Sequence, residues 1–464
     1  MDEKAGKNIF AGTVQGREIA GHAIAGIGQN LIFGLWSSYM LVFFTDVFGI
    51  AGGVAGLIMM FTRIWDAIND PMMGIIADRT RTRWGRYRPW LLFMAIPVVI
   101  VLALNFSAPD FSPAGKIAYA AVTYVFMSMV FTAVDIPYWT LPAAMTQDVG
   151  KRTTIYSISR VSTTVSSLIV GILAIPLVTA LGGGDMARGY FITALIIGIL
   201  GAAFYLCGFK LVREHVVPPP MEKFSFSGAV KVIAQNKPLL LILISMIVAN
   251  GLTFLRMNLL VYWVQYNIGS LEMVPVFNLV SLPAMLLGMV FTPFLSKKLG
   301  QKGMFVFSCL WGALSNFIFF FVGYGNTATA MVMFFFTSVP TGFVMVLISS
   351  MIANTIEYAE WKTGRRQEGL ISSSQTFLAK VSMAIGGGLS GLVLTMVHYQ
   401  PNTAQPAETL GLFHLVMTAV TGTGFLLGII PMLFNDFNDK KYAEITAELQ
   451  ERRAIAKKAE DKQS

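Results

Sequence analysis

Arg63, Asp66, Asn69 and Asp70 fall within the stretch RIWDAINDP, in a region that is otherwise apolar. Arg63, Asp66 and Asp70 share one face of a helix, because residues three, four and seven apart are neighbours on a helix surface. A second stretch, TAVDIPYW, puts Thr132 and Asp135 on one face of another helix, with Trp139 one turn further on. A carboxylate at the centre of a membrane helix costs about 2.5–3.5 kcal/mol on insertion scales, so its default reading is an ion or substrate path. Asp66, Asp70 and Asp135, with the amide of Asn69 and the hydroxyl of Thr132, form an all-oxygen set. Hard cations take oxygen ligands, which makes the three aspartates a candidate Na+ site. Crowded carboxylates also raise one another's pKa, so a proton can take the cation's place. The competing reading is a structural Arg–Asp pair inside the bundle. One arginine against three aspartates leaves excess negative charge, which favours cation coupling, with Na+ ahead of H+.

The elements that carry these residues follow from composition. The chain has 464 residues, 55% of them apolar and only 13% charged, against about 25% charged in soluble domains. Twelve segments are apolar and long enough to span a membrane: 21–44, 51–77, 90–106, 116–145, 154–180, 190–211, 238–266, 273–296, 303–323, 328–356, 370–397 and 408–434. Lysine and arginine gather on one side of them. The loop DRTRTRWGRYRP holds Arg79, Arg81, Arg83, Arg86 and Arg88, and the other loops of that side hold Lys151, Arg152, Arg213, Lys223, Lys231, Lys297, Lys298, Lys302, Lys362, Arg365 and Arg366. The opposite loops hold Lys116 and Arg188. Both termini are therefore expected in the cytoplasm. The first twenty residues read as polar, without a cleavable signal peptide. The net charge of +9 is an orientation signal and implies no nucleic acid. Two cysteines, Cys207 and Cys309, give neither a disulfide framework nor a metal spacing.

A proline-bearing, charged break divides the chain six helices and six. The expected organisation is a bundle over 1–212, a central loop over 213–237, a second bundle over 238–434 and a charged tail over 435–464. A basic, glycine-bearing loop follows the second helix of the first half, and TPFLSKKLGQKG follows the second helix of the other. This is the arrangement of the major facilitator fold: all-α, twelve transmembrane helices, two pseudo-symmetric halves.

Further polar residues lie within the apolar segments: His22, Gln29 and Asn30 on the first, Arg160 on the fifth, Arg256 on the seventh, and Gln375, Thr376 and Lys380 on the eleventh. Sugars need planar donors and acceptors beside an aromatic face, and Trp139 supplies such a face. His22 and His414 read as packing or helix-to-helix hydrogen bonds; His398 and His215 suggest no site. Arg160, Arg256 and Lys380 together suit an acidic sugar, a uronide or sulfo-sugar, since arginine pairs carboxylate or sulfonate in a fork. The alternative is a neutral glycoside or pentoside, with Arg160 and Lys380 neutralising Asp135 and Arg256 either snorkelling to the interface or facing another helix. Arg152 in one half and Glu357 and Glu360 in the other are a candidate gate. A membrane enzyme would need a histidine metal motif, a nucleophile with its base or a phosphate-cradling loop, and none is found.

The motifs RIWDAINDPMMG, TRWGRYRPW, DIPYWTL and EYAEWKTGRRQEG together resemble the glycoside–pentoside–hexuronide:cation symporters, the melibiose-permease-like branch of the major facilitator superfamily. The resemblance runs from the first helix to the twelfth. It implies sugar or glycoside uptake driven by Na+ or H+ entry, with no other cofactor, by a monomer in the lipid of the bacterial inner membrane. It matches the cation site to Asp66, Asn69, Asp70, Thr132 and Asp135, with Arg63 beside it. The sugar site matches Asp135, Trp139, Arg160, Gln375, Thr376 and Lys380. Asp135 then serves both ligands, a direct route to coupling. The chain departs from the pattern in four places. Gln29–Asn30 stand where a lysine–aspartate pair is usual, Met345 replaces a tryptophan, Asn354 replaces an aspartate, and Arg256 has no counterpart. Efflux by the same fold is the remaining alternative for direction.

Overall fold

The computed structural model describes residues 14–146, 148–215, 235–364 and 368–461. Most of the central loop and the basic pair Arg365–Arg366 lie outside these. All twelve apolar segments are helical, as a hydrocarbon environment requires of any chain that must satisfy its backbone internally. Apart from a bridge between Thr82 and Gly85, the described residues form helix, turn and loop alone.

Among the described residues, nine helices are long and apolar enough to cross a membrane. The difference from twelve has three local causes. Helix Gly52–Arg79 carries the charges discussed above. The segment 88–105 is broken at Met94 into Arg88–Phe93 and Ala95–Asn105. The eighth and ninth segments run together as Val274–Val322, with non-helical backbone at Gly300. Helix starts are capped where the sequence offers a short polar side chain. Asp185 accepts from the amides of Ala187 and Arg188, and Asn326 from that of Thr329, filling donors that the first turn leaves unpaired.

The chain forms two compact units. The first takes the described residues up to His215 together with Leu271–Asn278 and Gly391–Thr403; the second takes Gln235–Ser270, Leu279–Ser390 and the residues from Ala404 on. In the first unit, helix Gly16–Val42 packs on Met186–Leu211 at backbone distance: a Cβ on Gly28 would stand 2.7 Å from the Gly201 carbonyl oxygen. Small residues permit this closeness, and dispersion rather than hydrophobicity rewards it in lipid. The segment after helix Glu368–Met396 is tied to the same unit. The Tyr399 hydroxyl donates to the Asp46 carboxylate at 2.8 Å, and the Asn402 amide to the Asp46 carbonyl at 2.7 Å.

Each unit holds its basic loop in the same way. In the first, the Glu214 carboxylate accepts the backbone N–H of Arg86, Tyr87 and Arg88 at 2.7–2.9 Å, directly over Gly85, whose φ is 116°. Asp78 accepts the Tyr87 hydroxyl; burial and this carboxylate push the phenol above its usual range. In the second unit, Asp439 accepts the N–H of Gln301 at 2.8 Å beside Gly300, whose φ is 72°. Glu214 follows the last helix of its half, and Asp439 opens the helix Asp439–Asp461 that follows the last helix of the other. That C-terminal helix buries Ile445 and Leu449 with Phe437, against Tyr358 and Trp361. The Trp361 indole N–H, and then Arg452, hold the Glu448 carboxyl below its usual range.

Candidate functional site

Helix Gly52–Arg79 and helix Pro113–Met145 meet face to face in the first unit through two rungs. On the first, Asp66, 1% exposed, accepts the Ser128 hydroxyl on Oδ1 and the Arg63 guanidinium on Oδ2 at 3.1 Å. On the second, Asp70 accepts the Thr132 hydroxyl at 3.2 Å. Both rungs are four residues apart on both helices, which is why they stack. Arg63 also lies over the Trp36 ring, 4.8 Å from its centroid. Asn69 borders the rungs with a buried amide nitrogen that has no hydrogen-bond partner. Ser128 is absent from the residues picked out by sequence; its signal was its place one turn before Thr132 on the same face.

Asp135 turns to a different neighbour, the Gln29 amide of helix Gly16–Val42. Among the described residues no three His, Cys, Asp or Glu side chains are grouped closely enough to hold a metal ion. Asp66, Asp70 and Asp135 thus do not form a single shell in this arrangement. Arg63 and Ser128 draw off the first, and Gln29 draws off the third. An Arg–Asp pair, the structural alternative, is present, and its members are Arg63 and Asp66. What the two helices bring together is a string of oxygen groups: Asp66, Asp70 and Thr132, with Asn69 alongside. Asn30 turns its amide back to the Gly26 carbonyl at 3.3 Å.

One turn beyond Asp135, Trp139 carries the Arg160 guanidinium over its ring at 4.3 Å. Tyr156 stacks on the same ring, with centroids 6.4 Å apart, and its hydroxyl donates to the Trp139 carbonyl at 3.0 Å. Arg160 is exposed and Trp139 half-buried. An indole face with a guanidinium beside it offers a sugar both an apolar platform and fork-shaped donors.

The remaining candidates lie in the second unit. Gln375 is half-buried and donates to Ser349 at 3.1 Å; Lys380 is half-buried on the same helix, Glu368–Met396. Thr376 lies on that helix, with its side chain outside the described set. Arg256 is only 7% exposed. It donates to Asn316 at 3.2 Å and to Thr337 at 2.7 Å, and lies over the Phe334 ring at 4.5 Å. Its partners therefore come from helices Val274–Val322 and Thr327–Thr363, the arrangement in which Arg256 faces other helices. Asn354, in the place of the usual aspartate, donates to Gln301 at 3.0 Å, next to the Asp439 contact. Met345 is exposed. Of the gate candidates, Arg152 in the first unit donates to the Thr146 carbonyl at 3.0 Å. Glu357 and Glu360 are half-buried near the end of helix Thr327–Thr363 in the second. His414 reaches the Phe320 carbonyl at 3.3 Å, a helix-to-helix contact, and His215 pairs with Glu18 at 2.9 Å.

The MFS/sugar transport protein family profile matches residues 21–439. The isoprimeverose transporter of Lactiplantibacillus pentosus is 32% identical over 438 residues, covering 93% of this chain and 91% of that protein. The glucuronide carrier protein homolog of Escherichia coli (strain K12) is 28% identical over 441 residues, covering 95% of this chain and 96% of that one. Among solved structures, a bacterial homolog of the human lysosomal transporter Spinster, inward-facing and unoccupied, superposes with a TM-score of 0.66 over 92% of this chain and all of its own, at 11% identity; this likeness speaks to the fold alone. With apolar helices in number, a family profile over nearly the whole length, and two sugar carriers aligned end to end, the chain belongs to the glycoside–pentoside–hexuronide:cation symporters of the major facilitator superfamily, as a multi-pass protein of the bacterial inner membrane.

Proposed function

We propose that this chain is a secondary transporter, not an enzyme, that couples the entry of a cation, Na+ ahead of H+, to uptake of a glycoside. The observation that carries the reading is the use of one helix for both tasks. Thr132, on the Asp70 rung, and Trp139, under Arg160, are seven residues apart on Pro113–Met145 with Asp135 between them. In this reading Asp66, Asn69, Asp70 and Thr132 supply the cation's oxygens, and the cation is cargo. Trp139 and Arg160 receive the sugar, with Gln29, Asn30, Gln375, Thr376 and Lys380 as further donors and acceptors. Asp135 answers to both. A ligand that orders Asp135 lowers the cost of binding the other, and such coupling is reciprocal.

The favoured sugar is neutral. Arg256, one of the three cations that recommended an acidic one, directs two of its donors to Asn316 and Thr337. An acidic sugar is the second reading, supported by the exposed Arg160 guanidinium, which stands over a ring, and by the glucuronide carrier homolog among the relatives. The test is uptake into proteoliposomes with and without an inward Na+ gradient. Labelled isoprimeverose is the reporter, with excess uronide, sulfo-sugar or neutral glycoside as competitor, in wild type and Arg256→Gln. Accumulation of unchanged label that requires the gradient, blocked by neutral glycosides, is the expected result. Chemical conversion of the label, or no gradient dependence with Na+ or H+, refutes the transporter reading. Block by uronides alone, together with loss of uptake in Arg256→Gln, transfers the preference to the acidic sugar.

The same reading makes Arg152, Glu357 and Glu360 the cytoplasmic gate. Arg152, Glu357 and Glu360 are half-buried, not desolvated, and ion pairs that water still reaches are worth about 0–1 kcal/mol each, so Glu357→Gln should shift the open–closed balance while leaving the fold intact. The expected result is faster alkylation, from the cytoplasmic side, of a cysteine introduced near Arg152. An unchanged rate overturns the gate.

A further inference from the structure

His22 is fully buried and belongs to neither rung nor platform. Its two ring nitrogens have separate partners. Nε2 lies 3.0 Å from the Tyr138 carbonyl oxygen and Nδ1 lies 2.7 Å from the Ser159 hydroxyl. The reason for the first contact is in the sequence. Pro142 sits inside helix Pro113–Met145, and a proline has no N–H to give the carbonyl four residues earlier. That carbonyl is Tyr138's. His22 supplies the missing donor from the neighbouring helix. A carbonyl only accepts, so Nε2 carries the proton. In the neutral ring Nδ1 then accepts from the Ser159 O–H. The imidazole also stacks on the Tyr138 ring, with centroids 4.2 Å apart and planes 13° from parallel. One turn along the first helix, Gly26 leaves the gap the phenol fills: a Cβ there would fall 2.2 Å from the Tyr138 hydroxyl oxygen.

Tyr138 and Ser159 are the residues immediately before Trp139 and Arg160. Successive residues on a helix point about 100° apart. Pinning residue 138 against the first helix therefore sets the direction of Trp139, and pinning Ser159 sets that of Arg160. We infer that His22 is the positioning residue of the sugar platform: one imidazole ties the proline-broken turn of Pro113–Met145 and helix Val149–Gly182 to Gly16–Val42, so that the Trp139 ring and the Arg160 guanidinium are held face to face. The inference rests on the reading of Trp139 and Arg160 as sugar-binding. His22 touches neither sugar nor cation; it acts through the two residues it anchors.

The experiment is equilibrium binding of isoprimeverose and of Na+ to the purified full chain in nanodiscs, with five variants beside wild type: His22→Leu, His22→Gln, Pro142→Ala, His22→Leu with Pro142→Ala, and Trp139→Ala. Losing a buried hydrogen bond that orients a binding group is expected to weaken sugar binding about tenfold in His22→Leu, with Na+ affinity unchanged. Gln keeps an N–H for the Tyr138 carbonyl and should restore most of the loss. Pro142→Ala lets residue 142 donate to that carbonyl itself, so adding it to His22→Leu should recover sugar affinity, a non-additivity that general destabilisation does not produce. Nitrogen-15 spectra of the wild-type histidines should show His22 as the Nε2–H tautomer. The inference is overturned by an Nδ1–H tautomer, by equal loss of sugar and Na+ affinity in His22→Leu, by full sugar affinity in that variant while Trp139→Ala weakens it, or by strict additivity with Pro142→Ala. Full sugar affinity in Trp139→Ala overturns the platform reading itself, and this inference with it.

Discussion

Asp70→Asn should abolish uphill sugar uptake while leaving sugar binding, measured without Na+, within about threefold of wild type under the same condition, a spread of under 1 kcal/mol. The substitution keeps the shape of the rung with Thr132 but removes the charge that a cation needs, and the sugar platform lies two turns away on the other helix. Counterflow or direct binding then survives where accumulation does not. Concentrative uptake at the wild-type rate in Asp70→Asn would refute the cation assignment. Asp66→Asn should also stop accumulation, but with a second effect. Arg63 is held by the Asp66 carboxylate at 3.1 Å with both side chains nearly buried. Breaking one side of a buried pair costs about 3–5 kcal/mol, because the remaining charge is left uncompensated. Asp66→Asn is therefore expected to lower the unfolding midpoint, and Asp70→Asn to leave it near wild type. Equal stability of the two would show that the Arg63–Asp66 pair contributes little.

The second large effect is expected at the basic loops. Gly300, at φ 72° and ψ 164°, sits in a region essentially reserved for glycine, where another residue costs about 1–3 kcal/mol. A Cβ there would stand 2.5 Å from the Asp439 carboxylate, and a Cβ on Gly85 would stand 2.4 Å from the Glu214 carboxyl carbon. Alanine at either site strains the backbone and displaces the carboxylate that satisfies the neighbouring amides. Both variants should unfold at lower temperature, Gly85→Ala more, since Glu214 serves three amides and Asp439 one. Gly303→Ala is the control: its Cβ would meet Leu299 at an ordinary 3.5 Å. Thermal unfolding of the purified proteins followed by size-exclusion chromatography reads the difference. A midpoint in Gly85→Ala equal to that of Gly303→Ala would remove the loop latch from the account.

The twelve apolar segments were legible because a membrane accepts few alternatives to helix, so length and composition suffice. The shared face of Arg63, Asp66 and Asp70 was legible because it depends on the period of a single helix. The resemblance of the loops after the second and eighth segments was visible as composition. Even the orphaned carbonyl of Tyr138 was written in the chain, in Pro142 four residues on. What tertiary structure decided was who answers each of these groups. Ser128 rather than Asp135 joins Asp66, Gln29 takes Asp135, and His22 finds Tyr138 across 116 residues of sequence. Glu214 closes the first basic loop from 126 residues away, and Asp439 the second from 138. Arg256, whose charge alone suggested a ligand site, is turned to Asn316 and Thr337. The reason is common to all of them. Periodicity within a helix sets which residues share a face, whereas a partner on another helix depends on the rotation and depth at which the two helices pack, and those are properties of the assembled bundle.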